Sequence, residues 1–165
     1  MADVRLKAYA SAAAVFLLDR ASKWLIDTRV SFLDSLPVIP GFFDIVHTEN
    51  RGAAFSLFND STSEWRTFLL VLFSIAAVIV VGGFIFRRAE RLDRTSLAGF
   101  ALILGGAAGN LFDRMVWGKV TDFLDFYLGG YHWPAFNVAD SAVVIGSGLL
   151  LLEAVRPRRQ AANVP

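Results

Sequence analysis

The chain has 165 residues, 55% hydrophobic and 19% charged, with 16 Lys+Arg against 15 Asp+Glu for a formal charge of +1. Soluble domains average roughly 45–50% apolar and about 25% charged, so this composition leans toward a membrane protein, and the length fits a single domain over 1–165. The absence of cysteine excludes disulfide frameworks, thiolate metal sites, a Cys nucleophile and lipidation of the chain's own Cys. The near-neutral charge gives no field pointing to nucleic acid.

In chain order, the first predicted helix covers about 8–26, where apolar Ala8–Leu18 runs into Asp19, Arg20 and Lys23. Arg5 and Lys7 before a short apolar core also suit a cleavable signal peptide. Against that, DRASKWLI follows with no small-residue cleavage site, and Trp24 and Ile26 continue the apolar pattern, so a retained helix is expected. Residues 30–60 mix short β-branched and aromatic runs with Pro37, Pro40 and Gly41, which predicts a small strand-rich cap on the membrane surface. Phe42, Phe43, Phe55, Phe58 and Trp65 suit interfacial anchoring as well as substrate contact. Residues 67–86 and 95–112 are uncharged and give the second and third helices. The fourth, 136–155, is interrupted by Asp140 and, near its end, by Glu153. The expected fold is therefore a four-helix polytopic membrane protein with its cap between helices 1 and 2.

Orientation follows from the basic residues. Arg5 and Lys7, then Arg87, Arg88, Arg91 and Arg94, then Arg156, Arg158 and Arg159 all fall on one side of a four-span chain. The positive-inside rule makes that side cytoplasmic, along with both termini. Loops 27–66 and 113–135 then face the extracytoplasmic space. Asp19, seven residues before Ile26, lies about 10 Å below that surface, and Asp140 about one turn below it. Asn110, Asp113 and Arg114 cluster where helix 3 exits, and Asp122 and Asp125 fall in the short segment joining helices 3 and 4. A charge at mid-membrane costs roughly 2.5–3.5 kcal/mol on insertion scales, so such groups are rare without a task.

Some of these residues have bland explanations. Asp19 and Lys23 are four apart on one helical face and fit a simple ion pair. Arg114 fits a snorkelling residue, Glu153 with Arg156 an interfacial pair, and Gly105 with Gly109 a close helix contact. Asp140 is harder to dismiss, because an acid in an apolar helix with no basic residue nearby needs a partner.

Available chemistry is narrow. Only His47 and His132 occur, too few for a three-ligand zinc site, and neither H-E-x-x-H nor G-x-S-x-G is present. Ser22 and Lys23 diverge by about 100° on a helix, and GGAAG lacks a P-loop Lys. Carboxylates remain. Asp122 and Asp140 approach one membrane surface, and two acids a few ångströms apart share a proton. The ionised member activates water while the protonated one donates to a scissile carbonyl oxygen. A proton-coupled carrier would need polar groups along a path, and the inner half holds only Glu153. A non-enzymatic scaffold leaves the Asn, Asp and Arg cluster unexplained.

Five blocks, DRASK from Asp19, NRGAAF from Asn50, GGAAGNLFDR from Gly105, VTDFLDF from Val120 and FNVADS from Phe136, resemble the lipoprotein signal peptidase (signal peptidase II) family over nearly the whole length. The resemblance implies an intramembrane aspartic endopeptidase of the bacterial inner membrane. It would remove signal peptides from diacylglyceryl-modified prolipoproteins just before the lipidated Cys, acting as a monomer beside membrane lipid, without cofactor or metal. By motif, the dyad is Asp122 and Asp140. Asn50, Gly52, Asn110, Arg114 and Asn137 match substrate-holding positions, and Asp19 with Lys23 a supporting block. Choosing Asp122 over Asp125 rests on this resemblance alone.

Overall fold

The protein is described by a computed structural model over residues 3–51 and 64–156. Four long helices alternate with short strands: α1 (Val4–Arg29), β1 (Ser35–Ile39), β2 (Phe43–Asn50), α2 (Glu64–Arg88), α3 (Arg94–Trp117), β3 (Val120–Leu128), β4 (Tyr131–His132) and α4 (Val138–Val155). Asp3 starts α1 by accepting the Arg5 N–H at 2.9 Å, and Asp93 starts α3 by accepting that of Ser96 at 2.8 Å. Gly118, at φ +68°, ends α3 in the left-handed conformation that glycine adopts without strain.

Among the described residues, three helical segments are long and apolar enough to cross a membrane: Thr67–Arg91, Arg94–Trp117 and Val138–Val155. The first helix is long enough too, but Asp19, Arg20 and Lys23 interrupt its apolar stretch. Leu17, Phe68, Phe73, Ile79, Val144 and Leu151 all lie on exposed helix faces, as lipid-facing residues do.

The third helix packs against the other three. Small residues permit this: a Cβ on Gly105 would lie 2.5 Å from the Ala12 carbonyl oxygen of α1, and one on Gly106 would collide with the Ala139 carbonyl of α4. Ala8, Ala12, Ile85, Ala89, Ala101 and Leu104 form the core at one end of the bundle. At the other end, Ile26 and Val30 of α1 pack on Phe123 of β3.

The strands form one antiparallel sheet in the order β1-β2-β3-β4, with Thr48 opposite Asp122 and Asp44 opposite Asp125. This corrects two expectations. Asp122 sits in a nine-residue strand rather than a short loop. The sheet is also shared between the α1–α2 and α3–α4 connections, because β3 finds its partner in β2. Helix boundaries shift as well: α1 and α3 extend past their apolar runs, to Arg29 and Trp117, where capping and tertiary packing continue the hydrogen-bond ladder. Gly52, Phe55 and Phe58 lie outside the described residues.

Candidate active site

Asp122 is reached from β3 and Asp140 from the first turn of α4. Asn137 joins them. Its Oδ1 accepts the Asp140 backbone N–H at 2.9 Å while the Asp140 carboxylate accepts the Asn137 N–H at 3.3 Å, a reciprocal capping box that starts α4. The Asn137 Nδ2 donates to Asp122 Oδ1 at 2.7 Å. One fully buried amide thus ties the strand acid to the helix acid.

Two further amides complete the frame. Asn50, at the end of β2, donates to Asp122 Oδ2 at 3.1 Å, and Asn110 of α3 donates to Asp140 Oδ1 at 2.7 Å. The Asn110 oxygen accepts from Lys23 Nζ at 3.0 Å and from Asn137 Nδ2 at 3.3 Å. An oxygen facing a cation and a second donor fixes which way the Asn110 amide points, so its NH2 is held toward Asp140.

Behind Asn110 lies a buried charge cluster. Lys23, 1% exposed, donates to Asp19 at 2.8 Å and to Asp113 at 2.5 Å, and Arg20 also pairs with Asp113. The other Asp19 oxygen accepts the Ala139 N–H at 3.0 Å, so α1 holds the N-terminal turn of the helix that carries Asp140. Gly109 leaves the room for this: a Cβ there would stand 2.6 Å from Asp19 Oδ2. Asp19 and Lys23 stand out in the sequence as a supporting pair, whereas the parts played by Arg20 and Asp113 emerge from the fold. Their signal was spacing, since Asp113 follows Asn110 by one turn on the same face of α3.

Burial, then the nearby charge of Asp140, raise the Asp122 carboxyl from 3.8 to about 6, with the amide hydrogen bonds and Lys23 pulling the other way. Asp140 sits in the first turn of α4, at the amino end of that helix. The pair therefore contains an acid that protonates near neutrality beside one at the amino end of a helix. Such an arrangement can supply a general base and a general acid at the same pH.

Arg114 is half-buried, and its charge faces both acids; its guanidinium reaches its own helix at the Asn110 carbonyl, 3.4 Å away. Asp125 stands apart. Three residues along a strand from Asp122 it points to the opposite face, where it bonds to His132 Nδ1 at 2.8 Å. Gly52 lies outside the described residues. No set of three His, Cys, Asp or Glu side chains among the described residues is arranged to hold a metal.

A family model described as signal peptidase (SPase) II matches residues 11–156. The lipoprotein signal peptidase of Solibacter usitatus is 62% identical over 164 residues, covering 99% of each chain. That of Nitratidesulfovibrio vulgaris is 44% identical over 145 residues, covering 88% of this chain and 87% of its own. A solved bacterial membrane enzyme superposes with a TM-score of 0.81 at 28% identity, covering 96% of this chain and 94% of that one. Apolar helices and this likeness together make the chain an integral membrane protein. A match of this extent, carried on a paired-carboxylate frame, means that the chain belongs to the signal peptidase II family.

Proposed function

We propose that the chain is an aspartic endopeptidase that removes signal peptides from diacylglyceryl-modified prolipoproteins just before the lipidated Cys, with Asp122 and Asp140 as its dyad. The observation that carries this reading is the Asn137 bridge, whose side chain donates to the Asp122 carboxylate and whose backbone N–H donates to that of Asp140. One carboxylate, ionised, takes a proton from water as the water oxygen attacks the scissile carbonyl carbon. The other, protonated, gives its proton to the carbonyl oxygen. Collapse of the tetrahedral intermediate breaks the C–N bond, and the departing nitrogen takes a proton from the dyad. Because the pair titrates as a unit, neither role is assigned to one residue.

Half-buried Asn50 and Arg114 suit contact with the unwound substrate backbone, whose polar groups cannot stay unpaired in lipid, and Gly52 belongs with them by motif. Asn110 and Asn137, both buried, act on the substrate through the acids that they hold. Asp19 and Lys23 support the frame from behind.

Four spans, both termini in the cytoplasm and a site at the extracytoplasmic face of the inner membrane complete the proposal. It is supported by basic residues gathered at the end of the bundle away from the sheet. The proposal includes action as a monomer beside membrane lipid. The test is incubation of the purified protein with diacylated and unmodified forms of one precursor. Release of the signal peptide from the diacylated form alone is expected, and equal cleavage of both would overturn the lipid requirement.

A further inference from the structure

A cavity of about 240 Å3 opens at the sheet-bearing end of the bundle, on the other side of β3 from the dyad. Thr121 lines it and Asp122 does not, as expected of neighbours that point to opposite faces of a strand. Among the described residues, none that lines it hydrogen-bonds to the Asp122 or Asp140 side chain. It borders the buried charge cluster at Arg20 and Asp113 without reaching the dyad.

Its walls carry charges with unused capacity. Arg20 of α1 pairs with Asp113 through Nη1 and lies over the Phe112 ring at 5.0 Å, and among the described residues its other guanidinium nitrogens have no partner. Asp27, 44% exposed, uses only Oδ1, which accepts from Thr121 at 3.0 Å and faces His47 Nε2 at 3.3 Å; its Oδ2 has no partner among the described residues. Among the described residues, Lys119 bonds to Glu49 alone. Arg20 and Asp27 are seven residues apart, two turns along one face of α1, which separates them by about 10 Å and leaves room for a group with two charges between their side chains.

The balance of charge narrows the ligand. Asp113 is paired with Arg20 and Lys23, and Glu49 with Lys119 and Arg51, whereas Asp27 presents an oxygen without a cation, so a group that also brings a positive charge fits better than a purely anionic one. Location narrows it further. Trp117 lies in the cavity wall, and Met115, Val116 and Trp117 are exposed apolar residues of the last turn of α3, where a membrane helix meets the headgroup region. The lipid on the substrate does not account for the cavity, because a diacylglyceryl thioether carries neither phosphate nor amine.

We propose that this cavity is a binding site for a zwitterionic lipid headgroup, a phosphate diester bearing a primary ammonium, with the phosphate on Arg20 and Lys119 and the ammonium on Asp27. The site goes beyond the peptidase reading, and its test does not use turnover. Delipidated full-length protein in detergent would be titrated with phosphatidylethanolamine, phosphatidylglycerol or glycerophosphoethanolamine, and bound ligand counted by native mass spectrometry. Wild type should retain one phosphatidylethanolamine per chain and bind phosphatidylglycerol about tenfold more weakly, the usual scale for one charged hydrogen bond. Asp27→Asn and Lys119→Gln should each lower phosphatidylethanolamine affinity about tenfold, and Asp27→Asn should leave phosphatidylglycerol binding unchanged. Equal wild-type affinity for the two lipids would overturn the proposal without any variant. Unchanged phosphatidylethanolamine affinity in both variants would do the same. Glycerophosphoethanolamine binding as tightly as the lipid would overturn the membrane source.

Discussion

Replacing Asp122 by Asn should remove activity and yet stabilise the fold at alkaline pH. The folded protein holds this carboxyl at about 6 against an ordinary value of 3.8, chiefly because burial opposes its charge. The sign follows directly. Below pH 3.8 the acid is neutral in both states and costs nothing; between there and about 6 the unfolded chain gains by ionising while the folded one does not. Stability is thus lost as pH rises through that window. At about 1.4 kcal/mol per pH unit the full penalty above the window is about 3 kcal/mol. Asn escapes it. An amide has one acceptor oxygen for the two donors Asn50 and Asn137, but a neutral carboxyl has nearly the same shortage, so the two proteins should match at pH 4. Unfolding of detergent-solubilised protein, followed through its four Trp residues, should give equal midpoints at pH 4 and a more stable variant at pH 8. A variant no more stable at pH 8 than at pH 4, relative to wild type, would refute the buried-acid reasoning.

Three other substitutions probe the frame. Lys23→Met leaves Asp19 and Asp113 buried without their shared cation and should cost about 3–5 kcal/mol in the same unfolding assay; wild-type stability would contradict the cluster's role. Gly109→Ala drives a methyl against Asp19 Oδ2 and should cost about 1–3 kcal/mol and lower turnover, whereas an active, fully stable protein would show that α1 gives way freely. Asp125→Asn acts on the opposite face of β3 and should keep turnover within about threefold, as expected of a change outside the site. A dead Asp125→Asn with an active Asp122→Asn would exchange their roles.

The helices were legible because a membrane span needs a long uncharged run, and 67–86, 95–112 and most of 136–155 supply one. Their ends were less so, since Asp113, Arg114 and Trp117 continue α3 where composition turns polar. The strand nature of β3 was hidden for a different reason. VTDFLDFYL is buried on both faces over most of its length, so it lacks the alternation of a half-exposed strand. Its pairing with β2 also joins residues 70 to 83 positions apart, from Asn50 with Val120 to Phe43 with Phe126, which no local pattern reports. At the site, N-V-A-D was readable as a motif, but the capping box that makes Asn137 a bridge depends on the rotamers of both side chains. The pairing of Asp113 with Arg20 and Lys23 escaped because it joins α3 to α1, which no local pattern reports.

If Asp122 and Asp140 act as one catalytic unit, turnover of a diacylated precursor by Asp122→Asn, Asp140→Asn and the double variant will show it. Each single variant should remain folded, still bind precursor, and lose about 10³-fold or more in turnover, with the double variant little worse than either single one. Substantial cleavage by either single variant, or losses that multiply in the double, would contradict a shared dyad.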